Sequence, residues 1–196
     1  IFILSIAIPQ FVSLLAMRSM LSQDGIINVM LKNTGWIQKS LPFFSNVAWA
    51  RITVIVVNLW IGIPYTMMQV TGILQNIPLE LYEAAEVDGA GPVIRFFKIT
   101  LPYMLFVTTP YLITTFTANI NNFNIVYLLT KGDPVLAGNT AGKTDLLVTW
   151  LYKMTVDYQY YNLGAVIGIM TFVFLAIGSL LVYRRTKSYK DEEGFQ

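Results

Sequence analysis

Residues 83–102 read EAAEVDGAGPVIRFFKITLP and lie between two long apolar runs. Pro78 suits a helix start, because the N–H it lacks has no intrahelical partner there. Glu80 and Glu83 fall in the first turns, where carboxylates favour the positive helix end. Leu81, Ala84, Ala85 and Val87 continue a short helix. Gly89 is placed to end it in the left-handed conformation. Gly91-Pro92 then turns the chain, and Val93–Thr100 starts a second helix leading to Pro102. The expectation is helix, turn, helix at a membrane face, a knob able to enter a groove on a partner.

Composition agrees with a membrane setting. The chain has 196 residues, 55% hydrophobic and only 12% charged, about half the charged share of an ordinary soluble domain. There is no Cys and no His. That removes disulfides, thiolate metal sites and the usual general base. The formal net charge of +2 gives no reason to expect nucleic acid. The chain opens at Ile1 inside an apolar run with no charged region before it. It therefore reads as a piece preceded by further sequence, with no signal peptide visible.

Four runs approach the roughly 20 apolar residues a membrane helix needs. They are 1–18, 52–74, 101–129 and 162–183. Residues 143–157 place Leu146, Leu147, Trp150, Leu151 and Met154 at helical spacings among Lys143, Asp145, Lys153 and Asp157. They read as a short amphipathic helix on the membrane surface. The fold class expected is all-α, a polytopic helical bundle forming one transmembrane domain over 1–196. Arg184, Arg185, Lys187 and Lys190 form a dense basic cluster at the end of the last run, which puts the C-terminus in the cytoplasm. Alternation then puts 75–100 inside, and 19–51 and 130–161 outside. The raw count of Lys and Arg in the other loops does not favour this orientation; the density of the tail alone carries it.

Polar residues within apolar runs usually face a pathway or the bundle interior. Asn58, Gly62, Tyr65 and Gln69 recur at spacings of four, three and four, one helical face bordered by Ile61. Thr115, Asn119 and Asn122 form a second face, extended by Thr108 and Tyr111. Amides and hydroxyls both donate and accept, and tyrosine rings can stack on a sugar. Such faces suit a neutral polyhydroxylated solute. The same amides can instead bond helix to helix, and the residues leave both readings open. No carboxylate or cation lies deep in these runs, which argues against an ion, amino-acid or phosphate pathway; a secondary transporter, the rival reading, would need an intramembrane coupling group such as a carboxylate.

The spacing in 83–102 is EAA, three residues, Gly89, nine residues, Ile99, one residue, Leu101-Pro102. It resembles the cytoplasmic coupling loop of ABC-importer permeases. NLWIGIPYTMM, FTANINNFNIVYLLTKGDP and AGKTDLLVTWLYKMT extend the resemblance over nearly the whole chain to maltose/maltodextrin permease subunits of the MalF type. The resemblance implies the C-terminal part of a type I importer transmembrane domain in a bacterial cell membrane. It implies a sugar substrate, maltose/maltodextrin or another oligosaccharide, held by Asn58, Ile61, Gly62, Tyr65, Thr115, Asn119 and Asn122. It also implies that Glu83, Ala84, Ala85, Asp88 and Gly89 in loop 78–100 dock on an ATPase. The partners implied are a second permease subunit, a dimer of ATP-hydrolysing subunits and an external solute-binding protein, with lipid around the helices. ATP and Mg belong to the ATPase subunits; this chain binds no cofactor and is not an enzyme. Thr115 stands where the family prototype has Ser, and Ala118 where it has Phe. The second change removes a ring that packs on sugar and implies a wider site.

Three other signals are set aside. GNTAGKT at 138–144 has three residues between Gly138 and Gly142-Lys143, where a phosphate loop has four. Glu86 and Asp88 form a carboxylate pair without a pocket. Gly164 and Gly168 make a small-xxx-small pattern, read as a packing face.

Overall fold

The computed structural model describes residues 7–185. The described elements are helical, with no strand among them. In chain order they are α1 (Gln10–Met20), α2 (Ile26–Asn33), α3 (Val47–Gln75), α4 (Leu79–Val87) and α5 (Pro92–Arg95). A π-helical turn, Phe96–Thr100, leads into α6 (Leu101–Ile120), followed by α7 (Phe123–Leu129) and α8 (Leu147–Tyr152). A second π turn, Lys153–Asp157, precedes α9 (Tyr161–Arg184). The first predicted run, 1–18, falls partly outside the described residues, as do Lys187 and Lys190 of the basic tail.

Three stretches are long and apolar enough to cross a membrane: Val47–Gln75, Pro92–Leu129 and Tyr161–Arg184. Helix is the only single-segment solution there, because it satisfies every backbone N–H and C=O without water. At 1.5 Å per residue α3 is about 43 Å long and α9 about 36 Å, against a hydrocarbon core of about 30 Å. Asn46 starts α3, its side-chain oxygen accepting from Ala48 N at 3.0 Å and Trp49 N at 3.3 Å. Pro64 lies inside α3 and Pro110 inside α6. Each lacks an N–H, so the carbonyls of Trp60 and Phe106 lose their usual intrahelical donor.

The third stretch differs from the run read as 101–129. Its helix stops at Ile120 and restarts at Phe123. The reason is local: the Asn122 side chain accepts from Ile125 N at 3.2 Å and caps the new helix, a role asparagine fills well. The segment read as one amphipathic helix over 143–157 is helical from Leu147 and widens into the π turn at Lys153.

The chain divides into two compact units, Ile1–Pro64 with Ile120–Val173, and Tyr65–Asn119 with Phe174–Gln196. In the first, α1 packs on α7, and Leu14, Val57, Ile125, Val126 and Leu129 form the buried core. Asn28 is fully buried. It donates to Ser22 O (3.1 Å) and Leu41 O (3.2 Å) and accepts from Leu41 N (2.8 Å), which ties α2 to the segment before α3. Gly164 and Gly168 of α9 lie against Thr155 and Leu151: a Cβ on Gly164 would overlap the Thr155 methyl, and one on Gly168 would sit 3.2 Å from Leu151 Cδ1. The small-xxx-small pattern is thus a packing face. In the second unit Thr117 and Ser179 share a hydrogen bond of 3.0 Å between α6 and α9.

Candidate functional site

Two groups of residues matter. The first is the polar set on the apolar helices. Asn58, Ile61, Gly62 and Tyr65 all ride on α3, but Asn58, Ile61 and Gly62 belong to the first unit and Tyr65 to the second. Thr115 and Asn119 lie in the second unit and Asn122 in the first. Within the second unit the Tyr65 ring stands 6.4 Å from that of Tyr111, tilted by 39°. Thr66 Oγ1 and Tyr111 Oη are 3.2 Å apart and share a hydrogen bond. Tyr65 is about half exposed. Asn119 Nδ2 donates to Thr115 O at 2.9 Å, which holds the amide against its own helix.

In the first unit Ile61 packs against the buried core, and Asn122 caps α7. Both therefore do structural work whatever else they touch. Gly62 has open space where a Cβ would stand. The sequence pattern does not single out Thr66; its spacing of one from Tyr65 gives it a different helical face, and only the fold pairs it with Tyr111.

The second group is the hairpin of α4 and α5. Gly89 adopts φ +74°. Gly89 N donates to Glu86 O at 3.0 Å and Ala90 N to Ala85 O at 2.8 Å, the two bonds that close a helix in a Schellman motif. Glu83, Ala84, Asp88 and Gly89 are exposed and Ala85 is half-buried. Small side chains at 84, 85 and 89 let another backbone approach closely. Nothing lies within 4 Å of a Cβ built on Gly89. Gly89→Ala is therefore expected to cost only the left-handed backbone term, about 1–2 kcal/mol. Hydrogen exchange at the Ala90 amide would register it as faster opening; unchanged exchange would remove the turn argument.

Glu86 is not paired with Asp88. Its Oε2 meets Arg95 Nη1 of α5 at 3.2 Å. Tyr82 Oη and Thr100 Oγ1 share a 2.8 Å hydrogen bond that is partly buried. The exposed ion pair is worth less than about 1 kcal/mol, the hydroxyl bond about 1 kcal/mol. Tyr82, Arg95 and Thr100 are invisible to a sequence reading because each partner lies across the turn.

The loop holding GNTAGKT is built around an internal carboxylate, that of Asp145. Asp145 Oδ2 accepts from Gly142 N at 2.6 Å and from Lys153 Nζ at 2.7 Å, and Oδ1 accepts from Thr149 Oγ1 at 2.9 Å. No group of three or more metal-ligating side chains occurs among the described residues.

Comparison with known proteins settles the class. The family described as binding-protein-dependent transport system inner membrane component matches residues 1–188. This chain belongs to that family. The chain is similar to the galactooligosaccharides transport system permease protein GanP of Bacillus subtilis, 40% identical over 193 residues, covering 98% of this chain and 46% of GanP. It is similar to the maltodextrin transport system permease protein MdxF of the same organism, 38% identical over 208 residues, with the same coverage of 98% and 46%. The maltose/maltodextrin transport system permease protein MalF of Escherichia coli K12 is 41% identical over 186 residues, covering 92% of this chain and 35% of MalF. The chain thus spans less than half the length of these relatives. Its fold is similar to that of a bacterial ABC transporter involved in the import of the acidic polysaccharide alginate, with TM-score 0.75, 24% identity, and coverage of 94% of this chain and 64% of that one. The family is one of transport components, not enzymes.

Proposed function

We propose that this chain is part of the membrane-spanning permease of an ATP-driven importer for a neutral oligosaccharide, with a maltodextrin as the first substrate to test. The observation that carries the sugar reading is the similarity over 98% of the chain to permeases named for galactooligosaccharides and maltodextrin. The side-chain chemistry supports it. Asn58, Tyr65, Thr115, Asn119 and Asn122 supply amides and hydroxyls, and the Tyr65–Tyr111 pair supplies ring faces. The three membrane-length stretches contain no Asp or Glu, so an ion-coupled secondary transporter would lack its coupling carboxylate. GanP gives a specific reason to keep galactooligosaccharides as the second reading.

In this proposal Asn58, Gly62, Tyr65, Thr115, Asn119 and Asn122 form the sugar-facing set, with Ile61 at its border. Glu83, Ala84, Ala85, Asp88 and Gly89 dock on an ATPase subunit, and ATP and Mg²⁺ stay on that subunit. A second permease, an ATPase dimer and an external binding protein complete the importer, with the basic C-terminal tail in the cytoplasm. Removing one polar contact to a bound sugar costs about 1–3 kcal/mol, and each 1.4 kcal/mol is tenfold. Asn119→Leu and Tyr65→Ala are therefore expected to cut uptake of maltotriose or galactotriose roughly tenfold to hundredfold in the assembled importer. Assembly should be intact. Uptake at the unmodified rate in both variants would end the assignment of these residues to the sugar.

A further inference from the structure

The residues proposed to dock on the ATPase sit on α4, whereas the helix carrying Thr115 and Asn119 is joined to α5. The chain is continuously helical from Pro92 through the π turn to Ile120, a rod roughly 40 Å long at 1.5 Å per residue. On the other side α4 is joined to α3 through the non-helical link Asn76–Pro78. A push on α4 therefore has a stiff route to the membrane only if α4 is fastened to the rod.

Two fasteners are present, one toward each end of the hairpin. Near the turn, Glu86 Oε2 meets Arg95 Nη1 at 3.2 Å. One turn back along α4, Tyr82 Oη bonds Thr100 Oγ1 at 2.8 Å. Thr100 is the last residue of the π turn. The extra residue in such a turn rotates the downstream helix by about 100°, and this sets the direction in which Thr100 presents its hydroxyl. The Schellman closure at Gly89 holds the α4 end of the turn at the tip of the hairpin, beyond the Glu86–Arg95 pair.

We propose that Tyr82, Thr100, Glu86 and Arg95 are positioning residues that clamp α4 to the α5–α6 rod, so that displacement of α4 by an ATPase is delivered to α6. This clamp rests on the proposal that α4 docks on an ATPase. Tyr82 and Thr100 carry most of it, since their bond is partly buried while Glu86 is largely exposed.

The test uses the whole importer in lipid nanodiscs, with spin labels at Ile55→Cys on α3 and Phe116→Cys on α6, both exposed positions. This chain has no native Cys to compete. Distances are measured without nucleotide and with ATP-Mg²⁺ trapped. The unmodified clamp should give an ATP-driven shift in the distance distribution. Tyr82→Phe and Thr100→Val should each cut the population reaching the ATP-bound distance about fivefold. The double variant should be no worse, because both remove one bond. Glu86→Arg should weaken the shift and adding Arg95→Glu should restore it, with the nucleotide-free distance unchanged in every variant, whereas a merely structural loss would move that distance too. An undiminished shift in both hydroxyl variants, with Glu83→Lys abolishing it, overturns the clamp and spares the docking reading. An undiminished shift in Glu83→Lys as well overturns both.

Discussion

Lys153→Met is expected to destabilise the 130–157 loop by about 3–5 kcal/mol. The reason is the surroundings of Asp145. The side chains of Lys153 and Asp145 are 12% and 2% exposed, so each charge has been taken out of water. Removing the ammonium leaves a buried carboxylate with only Gly142 N and Thr149 Oγ1 as donors. The loop around it depends on the same point. Thr144 Oγ1 donates to Asp133 O at 2.7 Å and shares a 2.8 Å bond with Thr130. Arg51 Nε donates to Lys143 O at 3.1 Å, which ties the start of α3 to this loop. Adding Asp145→Leu to Lys153→Met should recover much of the loss, because replacing both charges by apolar groups is often close to neutral. Thermal unfolding of the assembled importer, with hydrogen exchange at the Gly142 amide as the local reporter, would measure both. A single variant as stable as the unmodified protein would show that the pair is not needed.

Gly132→Ala is the second large effect, expected at about 3 kcal/mol or more. Gly132 has φ +87°, and a Cβ there would collide with the Asp145 carboxylate and the Lys153 ammonium. The side chain must strain its backbone and push apart the ion pair together. Gly89→Ala provides the contrast. Its φ of +74° is nearly the same, but the space around it is open, so only the backbone term remains. If the two alanine variants cost the same in unfolding experiments, the collision argument fails and backbone conformation alone governs both sites.

Much of the fold is legible along the chain. The apolar runs predict helices because a bilayer allows a single segment few other ways to satisfy its backbone. The turn at Gly89 is legible because the residues that make it are neighbours. The third run is harder. Asn119 and Asn122 read as polar side chains on one face of a continuous helix, yet Asn122 stops one helix and caps the next. Periodicity cannot separate an amide facing a pathway from one bonded to the backbone three residues on. The candidate site is legible as a set of residue types and spacings, and less so as a set of contacts. Tyr65 and Tyr111 are each visible in the sequence as ring carriers; that they stand 6.4 Å apart, with Thr66 joined to Tyr111, is not.

The sequence by itself determined the helical class, the membrane-length runs and the shape of the α4–α5 turn, because each comes from bonds and packing within one short segment. Only the tertiary structure decided which polar groups meet. Tyr82 with Thr100, Glu86 with Arg95, and Asp145 with Gly142, Thr149 and Lys153 are partnerships across turns or between elements. A hydrogen bond or ion pair needs its atoms within about 3 Å and well aligned. No spacing along a chain specifies that until the backbone has brought the segments together.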